Sequence, residues 1–395
     1  MNGWKQYKLS ELYSFGSGLS KSADEFGHGY PFLSFKVIFD NYFIPEVLTD
    51  LVNSTEKERA TCSIKRGDVF FTRTSETAEE LGMSSVALKD YPNATFNGFT
   101  KRLRPLNDII LPEFIGYYFR WNRFRANIVS MASETTRASL NNGMLSILPV
   151  KVPSFPEQRA IAAVLSSLDD KIDLLHRQNA TLEAMAEALF RQWFVVEAKK
   201  EWEEKTIGDV VEIKGGSTPS TKNLNYWDGN ISWTSPKDLT KEKSIFMFST
   251  ERTISVDGLA QISSGLLPKG TLLLSSRAPI GYLSITDIEL AINQGYIAIL
   301  NNSYISSYYM YLWCKYNMEG IKTAGNGSVF QEISKSVFRK LPFLLPPKDI
   351  LYGFNKLIAP YFLKIRSNQM QIIMLEKLRD TLLPKLMSGE VRVTY

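Results

Sequence analysis

The chain has 395 residues, 44% hydrophobic and 22% charged, which is ordinary for a soluble globular protein of two or three domains. A net charge of +5 permits nucleic-acid binding without demanding it, because 41 acidic side chains dilute 46 basic ones. The two cysteines, Cys62 and Cys314, have no metal-ligand spacing, and neither a signal peptide nor a membrane-length apolar run is evident, so a reduced, cytoplasmic protein is expected.

Residues 1 to about 150 read as mixed α/β weighted towards strands, with short apolar runs at Tyr30-Val37, Asp68-Thr72 and Ser84-Leu88 between Gly, Ser and Asn clusters. One helix is expected from Pro112 to Ala132, led by its proline. A long helix follows from Glu157 to about Val196, opening on Pro156, where proline costs nothing, and on an acidic side chain that suits the positive helix end. Leu165, Leu168, Ile172, Leu175, Asn179, Leu182, Ala186, Leu189 and Trp193 step by three and four along it. A narrow seam sustained over four heptads asks for a partner helix.

A charged hinge, Glu197 to Glu204, leads into a second segment that repeats the first in outline. Trp202 answers Trp4, and Gly215-Gly216-Ser217 answers Gly16-Ser17-Gly18. Gly270 to Arg277 answers Gly67 to Arg73 with one residue more, and Asn293-Gln294-Gly295 answers Asn97-Gly98. The stretch Ser303 to Gly320 answers the first head's helix. A second long helix is expected over 349–388, with kinks allowed at Pro360 and Pro384 and Gly389 as its cap. Adding 193 to the seam positions gives Ile358, Tyr361, Ile365, Asn368, Ile372, Leu375, Arg379, Leu382 and Leu386, seven of the nine apolar. Asn179 and Asn368 either meet across antiparallel helices and fix their register or point to the seam edge. The expected divisions are a first head at 1–152, a central helix at 153–197, a second head at 198–345 and a C-terminal helix at 346–395. That is an α+β chain with two mixed α/β heads and two long antiparallel coiled-coil helices. Pairing is expected to rest on Leu168, Ile172, Leu175, Asn179, Leu182 and Leu189 against Ile365, Asn368, Ile372, Leu375 and Leu382.

Catalytic patterns do not emerge. His28 and His176 belong to no cluster with zinc-ligand spacing. The run Gly16 to Ser22 lacks the second glycine of a phosphate loop, and no nucleophile–base pair stands out. The chain therefore reads as a binder. Lys21, Lys36, Arg73, Thr74, Ser75 and Arg137 in the first head are candidate DNA contacts. Ser217, Thr218, Lys237, Ser276, Arg277, Asn293, Gln294 and Asn326 are their counterparts in the second. Arg, Lys, Asn and Gln pair with base edges, while Ser, Thr and Lys hold phosphates. Arg73 and Arg277, each just after an apolar strand, are either a shared DNA-facing position or solvated loop arginines. The helical aromatics Tyr117, Tyr118, Phe119, Trp121, Tyr308, Tyr309, Tyr311 and Trp313 are expected in the core.

The run Pro153-Ser-Phe-Pro-Glu-Gln-Arg-Ala-Ile-Ala-Ala-Val-Leu-Ser-Ser-Leu-Asp-Asp-Lys-Ile172 carries a family pattern at Pro153, Glu157, Gln158, Ile161, Leu165, Leu168, Asp169 and Ile172. Together with residues 189–195, 382–393, 215–220, 272–281 and 292–295, it resembles the specificity subunit of type I restriction–modification systems. Ile350-Leu351 stand where the first helix has Glu157-Gln158, which weakens the second motif but not its seam. The resemblance implies a non-catalytic, cofactor-free chain whose two target-recognition domains each read half of a bipartite double-stranded DNA target. It implies helices that set the gap and dock two modification subunits, which hold S-adenosylmethionine and methylate adenine. It further implies restriction subunits that use ATP and magnesium. Arg177, Glu187 and Arg191 on the helix surface are the expected docking residues. The competing reading is a two-headed protein scaffold, which would lack salt-sensitive, sequence-selective DNA binding.

Overall fold

The computed structural model describes residues 3–75, 80–131, 138–241, 244–325 and 331–393. They form two compact units, Met1–Lys171 with Leu375–Tyr395, and Ile172–Met374, so each unit joins one head to segments of both long helices.

In the first unit the strand Val69–Thr72 is buried at every position, as a strand covered on both faces must be. It is central in an antiparallel sheet of order Tyr13–Ser17, Thr100–Pro105, Val69–Thr72, Ser84–Val86. A second, three-stranded sheet places Phe26–Leu33 between Leu51–Val52 and Thr95–Phe96, the latter pair parallel. The expected helix breaks at Trp121 into Pro112–Arg120 and Asn122–Met131, and the first of these buries Phe114 through Phe119. An antiparallel ribbon of Lys5–Lys8 with Pro149–Val152 closes the head where the central helix begins. On that helix Asp169 accepts a hydrogen bond from the Tyr117 hydroxyl at 2.6 Å and one from the Arg379 guanidinium at 2.8 Å. Arg379, a polar residue in an apolar seam, is thus matched by a carboxylate.

The second unit repeats the plan. Glu212–Lys214, Tyr296–Leu300, Leu272–Ser275 and Leu283–Thr286 form the antiparallel sheet, extended by Phe246–Met247 in parallel. Trp227–Thr234 lies between Arg252–Ile254 and Ala291–Ile292, again antiparallel and parallel. The ribbon Glu203–Thr206 with Pro342–Leu345 closes this head.

The central helix runs Phe155–Arg191 and ends in a π-helical turn, Gln192–Val196. The C-terminal helix runs Lys348–Ser388 through both prolines and stops at Gly389, which adopts the left-handed conformation of a cap at φ +72°. Within the second unit the helices are antiparallel. The Asn368 side-chain amide donates to Asn179 Oδ1 at 2.9 Å, and Phe190 and Phe194 meet Phe354 further along. Ile172, Leu175, Ile365, Asn368 and Ile372 are buried, and Leu182 and Leu189 pack partly buried on the same core. Leu168, Leu375 and Leu382 are partly buried, the last against the first unit's core. One seam position is corrected: Phe362 is fully buried where Tyr361 was expected. Glu187 is tied to Lys315, which also bridges to Glu183, while Arg177 pairs with Asp173 on the helix surface. The helical aromatics are core as expected, with Trp121 and Tyr308 half-buried.

Candidate nucleic-acid interface

Each head carries one loop frame held by backbone hydrogen bonds. In the first, Leu19 N donates to Phe96 O at 2.8 Å, and Gly98 N donates to Leu19 O at 2.8 Å. Gly18 lies so near that a Cβ on it would stand 2.2 Å from Asn97 O. Asn97 N donates to Leu33 O, and Asn97 Oδ1 accepts Phe99 N at 2.7 Å. Arg73 N donates to Phe99 O at 2.9 Å, and Leu140 N to Arg73 O at 2.9 Å.

The second head repeats five of these six hydrogen bonds. Ser217 N donates to Ile292 O at 3.1 Å, and a Cβ on Gly216 would stand 1.7 Å from that oxygen. Asn293 N donates to Thr234 O, and Asn293 Oδ1 accepts Gly295 N at 2.9 Å. Ser276 N donates to Gly295 O at 2.8 Å, and Ile333 N to Ser276 O at 3.0 Å. The matched positions are therefore Gly18 with Gly216, Phe99 with Gly295, and Arg73 with Ser276. This corrects the equivalence of Arg73 with Arg277. The strand Leu272–Ser275 matches Val69–Thr72 residue for residue, so the extra residue does not lie in the strand, and Arg277 answers Thr74.

The candidate contacts divide by exposure. Lys36 and Lys237 are both exposed, three residues beyond Leu33 and Thr234, on the short helices Phe35–Asp40 and Pro236–Lys241. Half-buried Arg120 fixes the first of these helices by donating to the carbonyls of Ile38, Phe39 and Asn41 at 2.7–2.9 Å, and desolvation pushes its pKa down to about 10. Lys21 pairs with Glu58 at 3.0 Å, and Arg277 pairs with Glu332 at 3.7 Å. Thr218 donates to Gln294 Oε1 at 2.8 Å, both exposed, and the Ser217 hydroxyl donates to Gln261 O at 3.1 Å. Thr74 pairs with Ser139 across a short ribbon in which the Ser75 backbone meets Ala138. Ser276 is only 3% exposed, and the Asn293 side-chain carbonyl is engaged in its own turn, so both help to build the frame. Arg137 and Asn326 lie outside the described residues.

One group near the first frame, Phe99, escapes the sequence reading as a contact, and a second, Lys101, is largely turned inward. Phe99, 64% exposed, stands at the tip of the Asn97 turn. Lys101, mostly buried, donates to Ser17 Oγ at 3.0 Å, and burial, then the neighbouring Arg73 charge, lowers its pKa. Position directly after an Asn-Gly pair is the signal that marks Phe99. Among the described residues no group of three or more His, Cys, Asp or Glu is placed to hold a metal ion, and no helix is long and apolar enough to cross a membrane.

Comparison with known proteins gives a consistent picture. Residues 1–184 and 199–377 each match the type I restriction modification DNA specificity domain. The specificity subunit of the type I restriction enzyme MjaIX from Methanocaldococcus jannaschii is 27% identical, over 99% of this chain and 94% of its own length. That of the HindI enzyme from Haemophilus influenzae is 23% identical, over 99% of this chain and its full length. The crystal structure of a type I restriction–modification S subunit from M. genitalium shares the fold, with a TM-score of 0.61 at 16% identity over 98% of this chain and 96% of its own. With two domain matches that together span most of its length, the chain belongs to the type I restriction–modification DNA specificity family.

Proposed function

We propose that this chain is the non-catalytic, cytoplasmic subunit that tells a type I restriction–modification complex which DNA to act on, each head reading one half of a bipartite target. The paired helices set the gap and dock two modification subunits. Those subunits bring S-adenosylmethionine, and restriction subunits bring ATP and magnesium. The observation that carries this reading is one frame built twice with different side chains at matched positions. Leu19, Arg73, Thr74 and Phe99 in the first head stand against Ser217, Ser276, Arg277 and Gly295 in the second. Two copies of one platform with unlike contact groups suit two unlike half-sites. Exposed Lys36 and Lys237 supply sequence-independent phosphate contacts, and Arg73, Thr74, Ser75 and Arg137, with Thr218, Arg277, Gln294 and Asn326, are the base-reading set.

Co-expression with its cognate modification subunit, followed by mapping of methylated adenines in host DNA, tests the proposal. A single bipartite methylated motif is expected. No complex and no motif would favour the protein scaffold.

A further inference from the structure

We infer that Phe99 is a specificity-determining residue of the first head, its ring reading the C5 methyl of a thymine by apolar contact in the major groove. This rests on the DNA-reading role proposed above. Phe99 is 64% exposed, while Phe70, Phe71 and Phe96 nearby are fully buried. The turn does not need it, because the second head makes the same turn, with the same two hydrogen bonds, around Gly295. The ring is also presented on fixed backbone. Phe99 N is held by Asn97 Oδ1 at 2.7 Å and its carbonyl by Arg73 N at 2.9 Å, and Thr100 N donates to Asn97 O at 3.1 Å. A contact group on such a platform loses little conformational freedom on binding. Arg73 stands opposite it at the strand ends, its guanidinium without a hydrogen bond or ion pair among the described residues, and Lys101 is close by. An arginine joined through its backbone to a residue with an exposed ring suits a polyanion that also offers an apolar group. In the major groove that group is the thymine methyl. Wedging between bases would instead require unstacking a step.

The test uses the full chain assembled with its modification subunits, on the target found by methylation mapping. Each thymine of both half-sites is replaced singly by deoxyuridine, which removes only the methyl. One position in one half-site is expected to weaken binding about fourfold, the effect of one buried methyl-sized group. Phe99→Gly, a side chain this turn accepts in the other head, is expected to weaken binding of the unmodified duplex by a similar factor and to abolish the response to deoxyuridine at that position. Phe99→Leu is expected to retain the response. Three results would overturn the inference: no thymine position that matters, a Phe99→Gly complex that still senses the methyl, or one that binds as tightly as the parent. A parent complex with no sequence-selective binding at all would instead overturn the DNA-reading role on which the inference stands.

Discussion

Gly18 and Gly216 are glycines because of what stands opposite them. A Cβ would lie 2.2 Å from the Asn97 carbonyl oxygen in one head and 1.7 Å from that of Ile292 in the other, and backbone oxygens cannot step aside as a flexible side chain would. Gly216→Ala is therefore expected to pull Ser217 away from Ile292, costing about 1–3 kcal/mol or more through overpacking. Thermal unfolding checks the cost. Methylation mapping should show the second half-site lost or relaxed and the first still read, and an unperturbed second half-site would count against the frame as the base of recognition. The residue types of this frame are visible in the sequence, but their register is not. The first head enters it from a strand of five residues, Tyr13–Ser17, and the second from one of three, Glu212–Lys214, so glycine patterns aligned by eye slip by one. The same slip pairs Arg73 with Arg277, two arginines near the end of one kind of strand, where the hydrogen bonds pair Arg73 with Ser276. Phe99 is hidden for another reason: an aromatic beside a strand is ordinarily core, and only burial shows that this one is not.

The long helices are legible because their periodicity needs no knowledge of the heads. A seam of three and four steps without glycine or proline gives the Phe155–Arg191 helix, and the constant offset to 348–388 gives its partner. Where that reading fails, at Tyr361, the helix has a second partner: the Tyr308 ring stacks on Phe362 at 4.6 Å, so the head helps decide which of two adjacent aromatics turns inward. The asparagine pair is the seam's polar exception. Asn368 is 1% exposed and donates to Asn179, yet its own Oδ1 has no partner among the described residues, so the pair carries an unmet desolvation cost. Replacing Asn368 alone by leucine removes a hydrogen bond and strands the Asn179 amide, an expected loss of about 1 kcal/mol. Replacing both by leucine is expected to give a higher Tm than either single variant, since an apolar pair lays no claim to missing partners. A double variant less stable than both singles would mean that the pair contributes net stability. The more informative readout is assembly: if the asparagines fix register, the double variant gains stability while its complexes with modification subunits lose uniformity.

At the scale of the whole molecule, duplication within one chain does what a symmetric dimer cannot. It gives two readers on a common frame the freedom to diverge, as Phe99 and Gly295 have, so that a bipartite target need not be palindromic. What remains to be fixed is the distance between half-sites, and the helices are the elements suited to it. At 1.5 Å per residue the 37-residue central helix is about 56 Å long, against 3.4 Å per base pair of B-DNA. Insertion of one heptad in both helices tests this. Leu175 and Ile372 are at one level in the pairing that joins Asn179 to Asn368, so seven residues added at each leave every existing seam contact in register. Seven residues fall only about 20° short of two full turns, so the apolar face is kept. They add about 10.5 Å. The gap between half-sites should lengthen by at most about three base pairs, with both half-sites unchanged in the methylation map. A gap that stayed fixed would mean that the spacing is set elsewhere, in the heads or in the modification subunits. Altered half-sites would mean that the insertion had disturbed a head. Only a longer gap between the same two half-sites separates the ruler from the readers.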